Sequence, residues 1–143
     1  MAGLEGLERI KMTNLPPKRI VLVVDDDPMV LEVAEAQLKR LGYRPLLANN
    51  GLEGLTKLQE HNPDAVCSDT QMPEMDGLSF CRRAREMGYR KPFVGTSNSG
   101  ITTLSEEWAD AGATGYHGDK VGLYRSKSNL GSFLDRAFDY HKE

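Results

Sequence analysis

Short apolar runs alternate along this chain with stretches whose apolar residues recur at three- and four-residue steps. Ile20–Val24 is apolar throughout, the pattern of a strand covered on both faces. Runs at Pro45–Ala48, Ala65–Ser68, Phe93–Thr96 and Thr114–His117 predict four more strands. Between them, Val30, Val33, Ala34, Leu38 and Leu41 form one helical stripe, and Leu52, Leu55 and Leu58 a second. Leu78, Cys81 and Ala84 make a third, and Ile101, Leu104, Trp108 and Ala111 a fourth. The last and clearest stripe is Leu130, Phe133, Leu134, Ala137, Phe138 and His141. Asp27-Pro28 predicts an N-cap followed by proline at the first helical position. Gly42 and Gly88 mark helix ends. Five strand–helix units in alternation imply an α/β fold, a parallel sheet with helices on both faces.

Ligands in such sheets bind outside the carboxyl ends of the strands, where strand order reverses. Asp25, Asp26, Asp69, Thr96 and Ser97 fall at such ends, and Lys120 follows the fifth strand. Two strands that each end in carboxylate predict a cation site at one sheet edge. Hard cations such as Mg2+ take oxygen ligands and keep several waters. A carboxylate held beside one is a candidate phosphoryl acceptor. Asp69 opens the stretch Asp69-Thr70-Gln71-Met72-Pro73-Glu74-Met75-Asp76-Gly77, whose Pro73 and Gly77 set a turn.

Residues 1–18 read as an extension or linker ahead of one domain at 19–143. Leu4, Leu7 and Ile10 have helical spacing, but Asn14-Leu15-Pro16-Pro17-Lys18 breaks any helix before the first strand. A length of 143 residues fits one core. A net charge of −3 argues against nucleic-acid binding through a basic surface. No apolar run is long enough to span a bilayer, and the N-terminus lacks a signal-peptide pattern, so no membrane association and a cytoplasmic location are expected. Cys67 and Cys81 sit in apolar segments and read as buried free thiols. Trp108 reads as helix packing, and Asp27 and Asp76 as helix-cap or turn residues.

Taken in order, these residues resemble the receiver domain of two-component response regulators, over about residues 19–141. The resemblance rests on the acidic pair Asp25-Asp26, on Asp-x-x-Met-Pro-x-Met-Asp-Gly at Asp69–Gly77, and on a hydroxyl residue after the fourth strand. Gly112-Ala113 before Tyr116 completes it. The resemblance implies a flavodoxin-like, doubly wound five-stranded sheet of order 2-1-3-4-5 with five helices, as in single-domain chemotaxis regulators. It implies Asp69 as phosphoacceptor. Asp25 and Asp26 would organise Mg2+, or Mn2+, together with Asp69 and the backbone carbonyl of Gln71. Ser97, with Thr96 as its neighbouring competitor, would contact the phosphoryl group, and Tyr116 would be the switch aromatic. The implied partners are a histidine kinase or histidine phosphotransfer protein and a downstream protein target that the sequence leaves unnamed. The module is not expected to be an enzyme beyond its own phosphorylation and dephosphorylation. With the chain ending at Glu143, no output domain is expected.

The pattern departs from the family at the lysine. Its usual position, three residues after the aromatic, holds Asp119, and Lys120 stands one residue late. A one-residue shift in an extended segment turns the side chain to the other face. Either Gly118 hosts a bulge that returns Lys120 to the pocket, which is the expectation taken here, or Asp119 faces the pocket. The second arrangement would favour a degenerate receiver that binds partners without phosphorylation. An aspartyl-phosphate phosphatase is disfavoured because Gln71, not a carboxylate, lies two residues after Asp69. A nucleotide-binding domain is disfavoured because Asp25-Asp26-Asp27-Pro28 replaces a glycine-rich phosphate loop.

Overall fold

A computed structural model describes residues 17–98 and 103–142. Leu4, Leu7, Ile10 and Ile101 lie outside the described residues, as does the side chain of His141. The elements are β1 Ile20–Val24, α1 Pro28–Arg40, β2 Arg44–Ala48, α2 Gly51–His61, β3 Ala65–Asp69 and α3 Gly77–Glu86. There follow β4 Phe93–Thr96, α4 Thr103–Asp110, β5 Gly115–His117, α5 Lys120–Arg125 and α6 Lys127–Lys142. The five strands form one parallel sheet of order β2-β1-β3-β4-β5.

The apolar strands divide by parity. Val21, Val23, Ala65, Cys67 and Val94 pack with α1, α5 and α6, through Leu31, Leu38, Leu123 and Leu134. Leu22, Val24, Val66 and Phe93 pack with α2, α3 and α4, through Leu58, Phe80 and Trp108. Successive strand residues face opposite sides, so an unbroken apolar run feeds two cores. Both cysteines are free and buried, and burial pushes the Cys67 thiol up to about 12.

Helix ends follow the local chemistry. Asp27 caps α1 by accepting from Met29 N at 2.9 Å, ahead of Pro28. Gly42 and Gly88, with φ of 87° and 96°, lie in the left-handed region just after α1 and α3.

Four expectations need correction. β2 starts at Arg44 rather than Pro45, because Arg44 already pairs with Ile20 of β1. The helices among the described residues number six rather than five. The extra one, α5, forms because Asp119 caps it and the extended Ser126 separates it from α6. β3 runs through Asp69 instead of stopping at Ser68, because Asp69 pairs with Thr96 across the ladder. β5 starts at Gly115 rather than Thr114, whose hydroxyl accepts from Phe93 N at 3.1 Å in place of a backbone group.

Candidate functional site

The carboxyl ends of β1 and β3 bring Asp25, Asp26 and Asp69 together, one carboxylate oxygen from each lying within 4.8 Å of the others. Asp25 is 1% exposed and Asp69 8%, whereas Asp26 is open to solvent. Asp69 occupies the final pair of β3 with β4, so its backbone position is set by the ladder. Asp25 Oδ1 accepts from the Asp27 amide at 2.9 Å, and Asp69 Oδ1 accepts from the Thr70 amide at 2.9 Å. The Lys120 ammonium spans the pair, 2.9 Å from Asp25 Oδ2 and 3.2 Å from Asp69 Oδ2.

The fifth strand explains how Lys120 arrives there. In a regular parallel ladder, one residue donates to the carbonyl before its partner, and its own carbonyl accepts from the amide after that partner. Ser97 N donates to His117 O at 3.1 Å, which requires Asp119 N to donate back to Ser97 O. Instead Lys120 N makes that bond, at 3.1 Å. Gly118 and Asp119 together therefore oppose the single residue Ser97, which is a bulge. The displaced Asp119 amide goes to His117 Nδ1 at 3.1 Å, and the Asp119 side chain, exposed, caps α5 through Gly122 N at 3.0 Å. The bulge does not draw on glycine's special backbone freedom: the positive-φ glycines among the described residues are Gly42, Gly88 and Gly112. The bulge moves Lys120 by one residue and turns Asp119 outward.

The electrostatics are those of a pocket short of positive charge. Burial raises the Asp25 carboxyl above its usual value, against the pull of the Asp27 amide and Lys120. Burial likewise raises Asp69, opposed by Lys120 and reinforced by Asp26. Burial pulls the Lys120 ammonium down, but Asp25 and Asp69 outweigh it and hold it above the ordinary lysine value. Three carboxylates face one ammonium, leaving two negative charges uncompensated. An all-oxygen cluster with excess negative charge fits a hard divalent cation.

The remaining sequence-predicted residues fall around this pocket. Ser97 is buried just past β4, its backbone joined to both His117 and Lys120. Thr96 is fully buried on the α5 side of the sheet, beside the Tyr124 hydroxyl. Tyr116 is half-buried in β5, and its hydroxyl is buried without a hydrogen-bond partner. Gln71 is exposed on the turn leaving β3. Asp76, exposed, caps α3 by accepting from Ser79 N at 2.7 Å.

Two neighbours escaped the sequence reading. Tyr124 is buried on α5, and burial followed by the nearby Cys67, Asp25 and Asp69 raises its phenol well above the ordinary value. Its helix has no counterpart in the periodicity, so no signal pointed to it. Thr70 links Asp69 to Trp108, whose indole nitrogen lies 3.1 Å from the Thr70 hydroxyl. Here a signal existed: Gly95 inside β4 marks a close approach, and Trp108 is what approaches.

Comparison with known proteins gives a consistent result. The profile of the response regulator receiver domain matches residues 21–117. The chain is 32% identical over 117 residues to the sensor histidine kinase RcsC of Salmonella typhi, covering 82% of this chain and 12% of that protein. It is 38% identical over 96 residues to the response regulator MprA of Mycobacterium sp. (strain KMS), covering 67% of this chain and 42% of that protein. The chain thus spans less than half the length of either curated relative. Among solved structures, the chemotaxis response regulator CheY4 of Vibrio cholerae superposes with a TM-score of 0.74 at 26% identity. That match covers 85% of this chain and 99% of CheY4. A CheY-like receiver domain protein from Methanospirillum hungatei JF-1 shares the fold, with a TM-score of 0.77 at 20% identity, covering 88% and 98% of the two chains.

Proposed function

The chain belongs to the response regulator receiver domain family, and we propose that it accepts a phosphoryl group on Asp69 and thereby switches the binding of a partner protein. The observation that carries this reading is the Lys120 ammonium 3.2 Å from Asp69 inside a cluster of three carboxylates. The proposed donor is a phosphohistidine on a histidine kinase or phosphotransfer protein, in keeping with the relatives RcsC and MprA. An Asp69 oxygen attacks phosphorus and the new O–P bond forms as the P–N bond breaks. The imidazole nitrogen leaves with the electron pair and takes up a proton. Little covalent work falls to the protein, so alignment and charge neutralisation carry the rate.

Asp25, Asp26, Asp69 and the Gln71 carbonyl would hold Mg2+, or Mn2+. When bound, that ion neutralises charge on the transferred oxygens. Lys120, already against Asp69, would pair with phosphoryl oxygens, and Ser97, with Thr96 beside it, would offer a hydroxyl. Tyr116, whose buried hydroxyl is unpartnered, has a reason to move when that hydroxyl environment changes. Small phosphodonors serve in place of the kinase, so the module phosphorylates and dephosphorylates itself without being an enzyme toward other substrates. No helix among the described residues is long and apolar enough to cross a membrane, and a cytoplasmic site of action is part of this proposal. The degenerate-receiver alternative drew its motive from the displaced lysine, and the Lys120–Asp69 contact speaks for the phosphoacceptor.

Mass spectrometry after incubation with acetyl phosphate and Mg2+ tests the reading. Wild type should gain one hydroxylamine-sensitive phosphoryl adduct, and Asp69→Asn should gain none. Labelling of Asp69→Asn at the wild-type rate defeats the assignment.

A further inference from the structure

Trp108, on α4, is tied to the acidic pocket through a single side chain. It is the only tryptophan and is fully buried. Its indole lies against the bare backbone of Gly95, where a Cβ would stand 2.2 Å from Cε2. Any side chain at position 95 would expel the ring. This seat aims the indole nitrogen at Thr70 Oγ1, 3.1 Å away. The same hydroxyl lies 2.8 Å from the Thr96 carbonyl. An indole N–H only donates and a carbonyl only accepts, so the Thr70 hydroxyl must accept from Trp108 and donate to Thr96. That pair of bonds fixes the Thr70 rotamer. The amide of Thr70 donates to Asp69 Oδ1 at 2.9 Å, and all three bonds are buried.

We propose that Thr70 and Trp108 are positioning residues for the phosphoryl acceptor, and that they carry the state of Asp69 to helix α4. The inference rests on Asp69 being the acceptor. The Thr70 amide holds one carboxylate oxygen while Lys120 holds the other, so the attacking geometry of Asp69 depends on where Thr70 is held. Conversion of the carboxylate to an acyl phosphate changes the charge that the Thr70 amide faces. Any displacement of Thr70 moves its hydroxyl, and the indole must follow or be left as an unmade buried donor. β4 is involved through the Thr96 carbonyl, one residue before Ser97. The route crosses the sheet edge from the Asp69 face to the Trp108 face, beside the Ser97–Tyr116 pair rather than through it.

The test uses the full chain with Mg2+, acetyl phosphate for rates and beryllofluoride for the nuclear magnetic resonance of the 15N-labelled protein. Wild type reports on the underlying reading: failure to form an adduct at Asp69 defeats that reading and this inference together. Given the adduct, Thr70→Val is expected to slow phosphorylation about tenfold, the scale of one buried hydrogen bond left unmade. It should also abolish the beryllofluoride-induced shift of the Trp108 indole resonance. Thr70→Ser, which restores the hydroxyl, should recover both. A folded Thr70→Val with the wild-type rate and indole shift overturns the relay while leaving Asp69 as acceptor, and so does a Thr70→Ser that behaves like valine. If Thr70→Val does not fold, Trp108→Phe decides, since it fills most of the seat without a donor. It should slow phosphorylation and shrink the beryllofluoride-induced shifts of the α4 amides. Wild-type rate and α4 shifts in that variant overturn the proposal.

Discussion

The turn from β3 into α3 and the turn from β5 into α5 both deliver a charged group to the same pocket, but with opposite tolerance. The first is packed solid. A Cβ on Gly77 would stand 1.9 Å from the Asp69 carbonyl oxygen and 2.9 Å from the Trp108 ring. Its amide donates to Thr70 O at 2.7 Å. Glu74 adopts a left-handed φ of 70°, and Asp76 caps the helix. The second turn carries an inserted residue and still places Lys120 against Asp25 and Asp69. A Cβ on Gly118 would meet nothing nearer than 3.5 Å. The difference follows from the groups delivered. Asp69 has a one-carbon reach, so its backbone must be held to a fraction of an ångström. Lys120 has a four-carbon stem, and a bulge plus a new helix start leave it enough reach.

The largest expected effect comes from filling the tight turn. Gly77→Ala forces its Cβ into the Asp69 carbonyl, and the wall around it is backbone and a buried indole. Overpacking of this kind costs about 3 kcal/mol, read as a lower urea midpoint at unchanged slope. A loss below about 0.5 kcal/mol, the range of ordinary surface changes, would show that the β3–α3 turn is as pliable as the β5–α5 turn.

Next comes the charge imbalance between the two arms of the pocket. A divalent cation at a hundred times its Kd should stabilise the chain by about 2.7 kcal/mol, and Asp26→Ala should remove most of that. An equal gain in both proteins rules this cluster out as the binding site. The metal-free protein should also show a pH dependence of stated sign. Asp25 and Asp69 have folded values raised above the ordinary 3.8. The folded state therefore binds more protons than the unfolded state, and these groups lower stability as pH rises from 3.8 through their folded values. Asp25→Asn removes one raised carboxyl. In chelator, thermal melts across the acidic range should fall less steeply with pH for Asp25→Asn than for wild type; a steeper fall contradicts the assignment.

The same contrast marks how far the sequence could be read. The strand order was legible only through the family resemblance, whereas the strands themselves, the acid cluster and Asp69 rest on local patterns: apolar runs ending in carboxylate, and a turn motif set by Pro73 and Gly77. Such patterns lie within a few residues of the atoms they position. The Lys120 contact was legible only as a choice between two arrangements, because a bulge is a ladder event and its partner, Ser97, is remote in sequence. Helix α5 was missed because six residues are too few for a periodic stripe, and its start depends on a side-chain cap at Asp119. Thr70 was passed over for a related reason. Its partners, Trp108 and Thr96, come from two other elements, and only Gly95 hinted that something must pack there.

A smaller effect is expected at Asp119. Its exposure alone would make Asp119→Ala silent, but the carboxylate caps α5 through Gly122 N. Loss of an N-cap costs about 1 kcal/mol. The variant should therefore melt earlier, while its phosphorylation rate stays close to wild type because Lys120 keeps its backbone bond to Ser97 O. A rise in affinity for beryllofluoride would instead mean that Asp119 had been facing the pocket.

The smallest effect sharpens the comparison most, because it pairs the same substitution at the two turns. Gly118→Ala adds a methyl group whose nearest neighbour is the Tyr116 hydroxyl at 3.5 Å, an ordinary contact. Gly118 is not among the positive-φ glycines, so alanine adopts its backbone without strain. Alanine also narrows the unfolded ensemble, which at a compatible site stabilises by about 0.4–1 kcal/mol. The expected result is a protein as stable as wild type or slightly more so, phosphorylated at the wild-type rate, set against the heavy loss at Gly77. The added methyl lies beside Tyr116, so beryllofluoride titration of the Tyr116 resonances checks whether the aromatic still responds. If Gly118→Ala loses stability on the scale of Gly77→Ala, the bulge depends on glycine after all. Lys120 would then be held in the pocket by a backbone as constrained as the one that holds Asp69.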